Sequence, residues 1–140
     1  MFRPWITLLL GITLLAACGG SPSARISPDD VLGKLKTAGL EAESARAMQP
    51  ADYGPAPLLC QDGARRFLIP SLGEDKGGSL FVCTSEGDAA KLKTYYDELG
   101  KASAMFHSWT YQKGSVLVQI NGDLDQAKAD AYGKVITALP

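Results

Sequence analysis

The sequence predicts an α+β fold: a single layered domain in which an antiparallel sheet of about four strands is packed by about three helices, in the order helix, hairpin, helix, hairpin, helix. Three observations lead there. Three segments carry apolar residues at helical spacing behind recognisable N-caps, and between them lie two pairs of short β-favouring runs joined by glycine-containing turns. The 140-residue chain, once its apolar leader is set aside, is long enough for one core and too short for two ordinary domains. Strands joined by short turns are antiparallel, and each helix covers one face, so a layered domain over residues 28–140 follows.

The first helix opens at Ser27-Pro28-Asp29-Asp30. Ser27 accepts from the orphan N–H groups, Pro28 suits the first helical position, and the two acids favour the positive end of the helix dipole. Val31, Leu32, Leu35 and Ala38 follow at helical spacing and Gly39 is the stop. From Glu41 to Ala64 three prolines and Gly54 break any long element, with room for an extended piece around Ala42–Met48. Arg66–Pro70 and Ser79–Thr84 then read as a hairpin joined by a long, mobile loop from Leu72 to Gly78. Ser85 caps a second helix, with Asp88 in capping-box position, Ala89, Leu92, Tyr96 and Leu99 on one face, and Gly100 as its stop.

Ala104–Tyr111 and Ser115–Ile120 read as the clearest hairpin. A two-residue turn at Lys113-Gly114 pairs Tyr111 with Val116, Trp109 with Val118 and His107 with Ile120, gathering the bulky residues on one face. The final helix starts at Asp123, with Gln126 in capping-box position and Leu124, Ala127, Ala131, Val135, Ala138 and Leu139 on its expected inner face.

Ahead of the domain, residues 1–17 carry one positive charge, Arg3, then an apolar run from Ile6 to Ala17 that ends on small residues. This is the build of a secretory signal peptide, and twelve residues fall short of the roughly 20 needed to span a bilayer. Leu15-Ala16-Ala17-Cys18 resembles the lipobox of bacterial prolipoproteins. The resemblance implies that Cys18 receives a diacylglycerol, that the leader is cut just before it, and that the new amino terminus is open to further acylation by palmitate-class chains. Each buried CH₂ contributes about 0.8 kcal/mol, so two or three chains anchor stably where one is marginal. Residues 18–27 are then the lipidated cysteine and a flexible tether, and Gly19–Ser27 spans at most about 30 Å. The implied localisation is the cell envelope, on the extracytoplasmic face of a bacterial membrane. Val116–Leu124 with its following helix also resembles the end of small envelope lipoprotein domains, which brings no activity with it.

Composition argues against several functions. With 14 Lys+Arg against 15 Asp+Glu there is no basic excess for nucleic acid. Cys60 and Cys83, the cysteines left beside Cys18, flank the first hairpin in a compartment where disulfides persist, and a bridge between them is expected; two buried free thiols are the alternative. His107, the lone histidine, falls on a strand face as a core or sheet-rim residue, and one His with two paired Cys cannot ligate zinc. Asn121-x-Asp123-x-Asp125 lacks the Gly and Glu of a calcium loop, and the glycines around Glu74 and Asp75 lack a phosphate cradle. No nucleophile, base and orienting group assemble from the residues present, so neither enzyme activity nor cofactor is expected.

The expectation is therefore a membrane-anchored envelope lipoprotein acting as a protein-binding or assembly module, with the membrane and an envelope protein as partners. The alternative is a small-ligand or glycan sensor using aromatics around Trp109 and Tyr111, next to the acidic loop of Glu74 and Asp75.

Overall fold

The structure is a computed structural model that describes residues 25–140. The expected signal peptide, Cys18 and the first part of the expected tether lie outside the described residues. The elements run α1 (Pro28–Thr37), β1 (Glu43–Ala47), β2 (Ala64–Leu68), β3 (Gly77–Val82), α2 (Glu86–Ala102), β4 (Ser108–Lys113), β5 (Val116–Asn121) and α3 (Gln126–Thr137). Single 3₁₀ turns occupy Pro50–Tyr53, Gln61–Gly63, Pro70–Leu72 and Ala104–Phe106. The α+β class holds, and the sheet has five strands rather than four, all antiparallel, in the order β1-β2-β3-β5-β4. The added strand is the extended piece around Ala42–Met48. All five of its residues are exposed, so backbone pairing with β2 makes it a strand, and no buried face marks it in the sequence.

Alternation along the central strands gives the sheet two apolar faces. Phe67, Leu80, Val82, Val118 and Ile120 pack under α1 and α3. Ala64, Phe81, Cys83 and Leu117 pack under α2 and the segment from Met48 to Cys60. The molecule is thus three layers, helix–sheet–helix, with two cores.

The local signals at α1 are all in place. Ser27 and Asp30 form the reciprocal capping box, with both backbone N–H···O distances at 3.1 Å, and the Ser27 hydroxyl and N–H hold the Asp30 carboxyl below its usual range. Gly39 follows the last turn at φ 77°.

Elsewhere the boundaries move for identifiable reasons. Gly77 and Gly78 belong to β3, not to the loop, because the backbone and ring of Phe67 crowd them from β2; a methyl group at 78 would lie 2.6 Å from that ring. The connection contracts to Ile69–Lys76, closed by the Ile69 N–H on the Lys76 carbonyl at 2.9 Å. α2 has the expected Ser85 cap, but Asp88 turns its carboxylate to Lys91 instead of closing a capping box. The helix runs through Gly100, whose missing side chain admits the His107 backbone, 3.3 Å from where a Cβ would stand.

The second hairpin turns at Gly114-Ser115, one residue later than expected. Gly114 is at φ 54°, and a glycine in the first central position suits the II′ connection that matches strand twist. The register slips by two, pairing Tyr111 with Val118 and Trp109 with Ile120. A two-residue slip preserves faces, so both aromatics still point to α3. His107 drops out of the strand, and Ala104–Phe106, expected as extended, is a 3₁₀ turn capped by Ser103.

α3 begins at Gln126 with no side-chain cap from Asp125 and no capping box. Its buried face is Ala129, Tyr132, Gly133 and Ile136, about 150° around the helix from the expected one. Leu124 and Leu139 are buried as expected. The alanine stripe lost to a face on which one tyrosine ring buries more apolar surface than several methyl groups.

Candidate functional site

Cys60 and Cys83 form a disulfide with Cα atoms 4.7 Å apart. It fastens the segment carrying Met48, Tyr53 and Ala56 to the end of β3, over the Phe81–Leu117 core. Cys60 stands at φ 59°, a left-handed conformation that turns the chain from the loop into β2.

Of the four residues expected at a binding surface, the two aromatics are half-buried and their polar ends are committed. Trp109 Nε1–H donates to the Leu124 carbonyl at 2.9 Å. The Tyr111 ring lies over Gly133 and its hydroxyl donates to Asp130 at 2.8 Å; burial and that carboxylate push its phenol well above the usual range. Glu74 and Asp75 are exposed, and the Asp75 carbonyl accepts from Arg66 at 2.6 Å. The neighbouring Lys76 binds Asp123 at 2.6 Å, next to Leu124, so the acidic loop and the Trp109 anchor share one end of the sheet. Tyr111 sits a pleat away, under α3.

At that same end lies a groove that no sequence signal marks. It has a volume of about 520 Å³ and is lined by Leu40, Glu41, Ile69, Leu124, Lys128 and Tyr132 among others. Its polar rim is built from residues far apart in the chain. The Glu41 carboxylate accepts from the backbone and hydroxyl of Ser71, and the Tyr132 hydroxyl donates to the Glu41 carbonyl at 2.7 Å across 91 positions. Burial, with the Glu41 charge behind it, pushes the Tyr132 phenol up to about 12. The floor is apolar and the mouth holds one cation and one tethered carboxylate. Such a lining can accommodate an amphipathic molecule or side chain.

His107 is exposed, with its ring edge-on to Trp109 at 4.6 Å, a rim residue instead of a core one. It lines a small cavity of about 270 Å³ with Asp97, Lys101 and Ser108. Asp97 is already engaged, by Thr110 and by Lys93 at 2.7 Å. Asn121 and Asp123 serve the turn before α3: the Asn121 side chain accepts from the Asp123 N–H at 2.9 Å. Among the described residues no three metal-ligating side chains cluster, and no helix is long and apolar enough to cross a membrane. No family model, curated protein or solved structure matches the chain.

Proposed function

We propose that this protein is a bacterial envelope lipoprotein, anchored on the extracytoplasmic face of a membrane by lipid on Cys18, whose domain is a non-enzymatic module for binding another protein. The observation that carries this reading is the Leu15-Ala16-Ala17-Cys18 motif directly behind a short apolar run. A disulfide between Cys60 and Cys83 is the chemistry of an oxidising compartment and agrees with export.

The arrangement of the domain favours presentation to a partner. The first turn of α1 lies beside β2, with Asp29 4.0 Å from Arg65, and its far end leads to Leu40 and Glu41 at the groove. The groove therefore stands one helix length, about 15 Å, from the tethered end. Exposed Met105 (85%) and Phe106 (53%) lie near β4's first residue, at the same distal end of the sheet.

Cys18→Ser tests the anchor. The wild-type chain is expected in the membrane fraction with a mature N-terminal peptide carrying diacylglycerol mass, and the variant as an uncut, unlipidated precursor. Normal cutting and membrane retention of the variant would sink the reading.

The groove itself favours one second reading, a small-ligand sensor, since its volume falls within the roughly 300–1,000 Å³ of ordinary ligand sites. Ala131→Trp, which fills the groove from α3, separates the two. Under the sensor reading it abolishes a thermal shift given by fatty acids or other amphipathic anions; a wild-type chain that none of these shifts excludes that class.

A further inference from the structure

The two edges of the sheet are not equivalent. The Cys83 N–H donates to the Ser115 carbonyl at 2.9 Å, so Ser115, which continues the Val82↔Val116 register, turns its backbone groups to β3. Successive residues of a strand turn them to opposite sides; Val116, Val118 and Ile120 therefore face β4, and their partners Lys113, Tyr111 and Trp109 face β5. The N–H and C=O groups of Ser108, Thr110 and Gln112 point out of the sheet, and no hydrogen bond among the described residues engages them.

β1 is blunted where β4 is open. Its ladder is broken between Glu43 and Arg46, with Ser44 at φ 49°. The Met48 N–H reaches the Ala64 carbonyl at 3.1 Å, which turns Ala47 outward, and Arg46 Nη1 covers the Ala47 carbonyl at 3.2 Å. Bulges and edge charges are the usual protection of a sheet. β4 has neither a bulge nor a proline, and its one charge, Lys113, stands at its end.

We propose that β4 is a self-pairing edge: two copies of the chain join antiparallel about Thr110 and continue the sheet across a two-fold axis. The register is self-complementary. Thr110 meets Thr110 of the second copy, Ser108 meets Gln112 and Gln112 meets Ser108, which forms about six backbone hydrogen bonds. The Gln112 side chain, whose nitrogen donates to the Gly114 carbonyl at 2.9 Å, comes opposite Ser108 of the second copy. On the other face each Tyr111 comes opposite a Trp109, a favourable cross-strand pair. Lys113 falls opposite His107 and not opposite itself. Lys93 and Asp97, which flank Thr110 from α2, are brought toward the oppositely charged group of the second copy. This pairing does not depend on the lipid at Cys18.

The test is sedimentation of the full chain in density-matched detergent over a wide concentration range. A dimer is expected. Gln112→Pro removes an N–H that points out of the sheet, where an edge tolerates proline; with one donor lost per copy, association is expected to weaken about 10- to 100-fold while circular dichroism and Tm hold. A wild-type chain that stays monomeric, whether free or pairing only with another protein's strand, overturns the proposal, as does a dimer that Gln112→Pro leaves intact. Should Gln112→Pro fail to fold, Thr110→Cys decides. Paired Cα atoms about 5.5 Å apart are within disulfide reach, so the Thr110→Cys variant is expected to give, by mass spectrometry, a peptide that links two copies of the chain through the substituted position. Its absence under oxidant refutes the pairing.

Discussion

Two glycine-to-alanine substitutions in helices should act in opposite directions, and the difference tests how the third helix meets the sheet. Gly33 lies inside α1 with nothing within 4 Å of an added Cβ. Gly33→Ala should gain the helix-propensity difference of about 1 kcal/mol, roughly 4 °C in Tm for a domain of this size. Gly133 lies inside α3, and there a methyl group would stand 2.6 Å from Cε1 and 2.8 Å from Cγ of Tyr111, and closer still to Cδ1. The same propensity gain is opposed by overpacking of about 1–3 kcal/mol. Displacing the ring also disturbs the Tyr111–Asp130 hydrogen bond, a further loss of about 1 kcal/mol. The net expectation for Gly133→Ala is destabilisation by about 1–3 kcal/mol, read as a lower denaturant midpoint at unchanged slope. In a Tyr111→Leu background the penalty should shrink, since the crowding ring is gone and the two sites are coupled. If Gly133→Ala stabilises the protein as much as Gly33→Ala does, the packing of Tyr111 against α3 is not as described.

Two further perturbations address the segment over the second core. Reducing Cys60–Cys83, a bridge across 23 positions, should lower the unfolding free energy by roughly 3 kcal/mol on the chain-entropy account; equal denaturant midpoints with and without a phosphine reductant would contradict that. Asp52 accepts both guanidinium nitrogens of Arg46, at 2.6 and 2.8 Å, and this fork, with the Gln49 N–H, holds its carboxyl well below the usual carboxylate range. A depressed folded pKa contributes stability that is complete above the unfolded value near 4 and is lost as pH falls through the folded one. The stability difference between wild type and Asp52→Asn should therefore be flat above about pH 5 and shrink in acid. Solvent screening keeps it within about 1 kcal/mol. A difference that grows as the pH falls would reverse the assigned sign.

What can be read along the chain is what neighbours a few residues apart decide. The Ser27 box and the Ser85 cap are contacts across three positions, and Gly39 stops a helix through its own φ. The Cys60–Cys83 bridge is legible because the cysteines flank a hairpin. The candidate site is far less so: Glu41, Ser71 and Tyr132 carry no motif, and only the packing of α3 against the loop after α1 brings them together. His107 reads as a strand residue by alternation, yet β4 begins one residue after it.

The register of the second hairpin and the face of α3 show where local rules stop deciding. Two turns, Lys113-Gly114 and Gly114-Ser115, keep Trp109 and Tyr111 on the same side, so alternation alone cannot separate them; the positive φ at Gly114 in the assembled sheet does. Along α3 two stripes about 150° apart are both apolar enough to bury, and the choice went to the one whose tyrosine stacks on Phe67, with ring centroids 6.3 Å apart, and whose glycine admits Tyr111. The α+β class, the Ser27 and Ser85 caps and the cysteine pair flanking a hairpin are written in the sequence. The open edge at β4, the groove and the inner face of α3 rest on which surfaces meet, and burial is a property of the pair of surfaces, not of either segment alone.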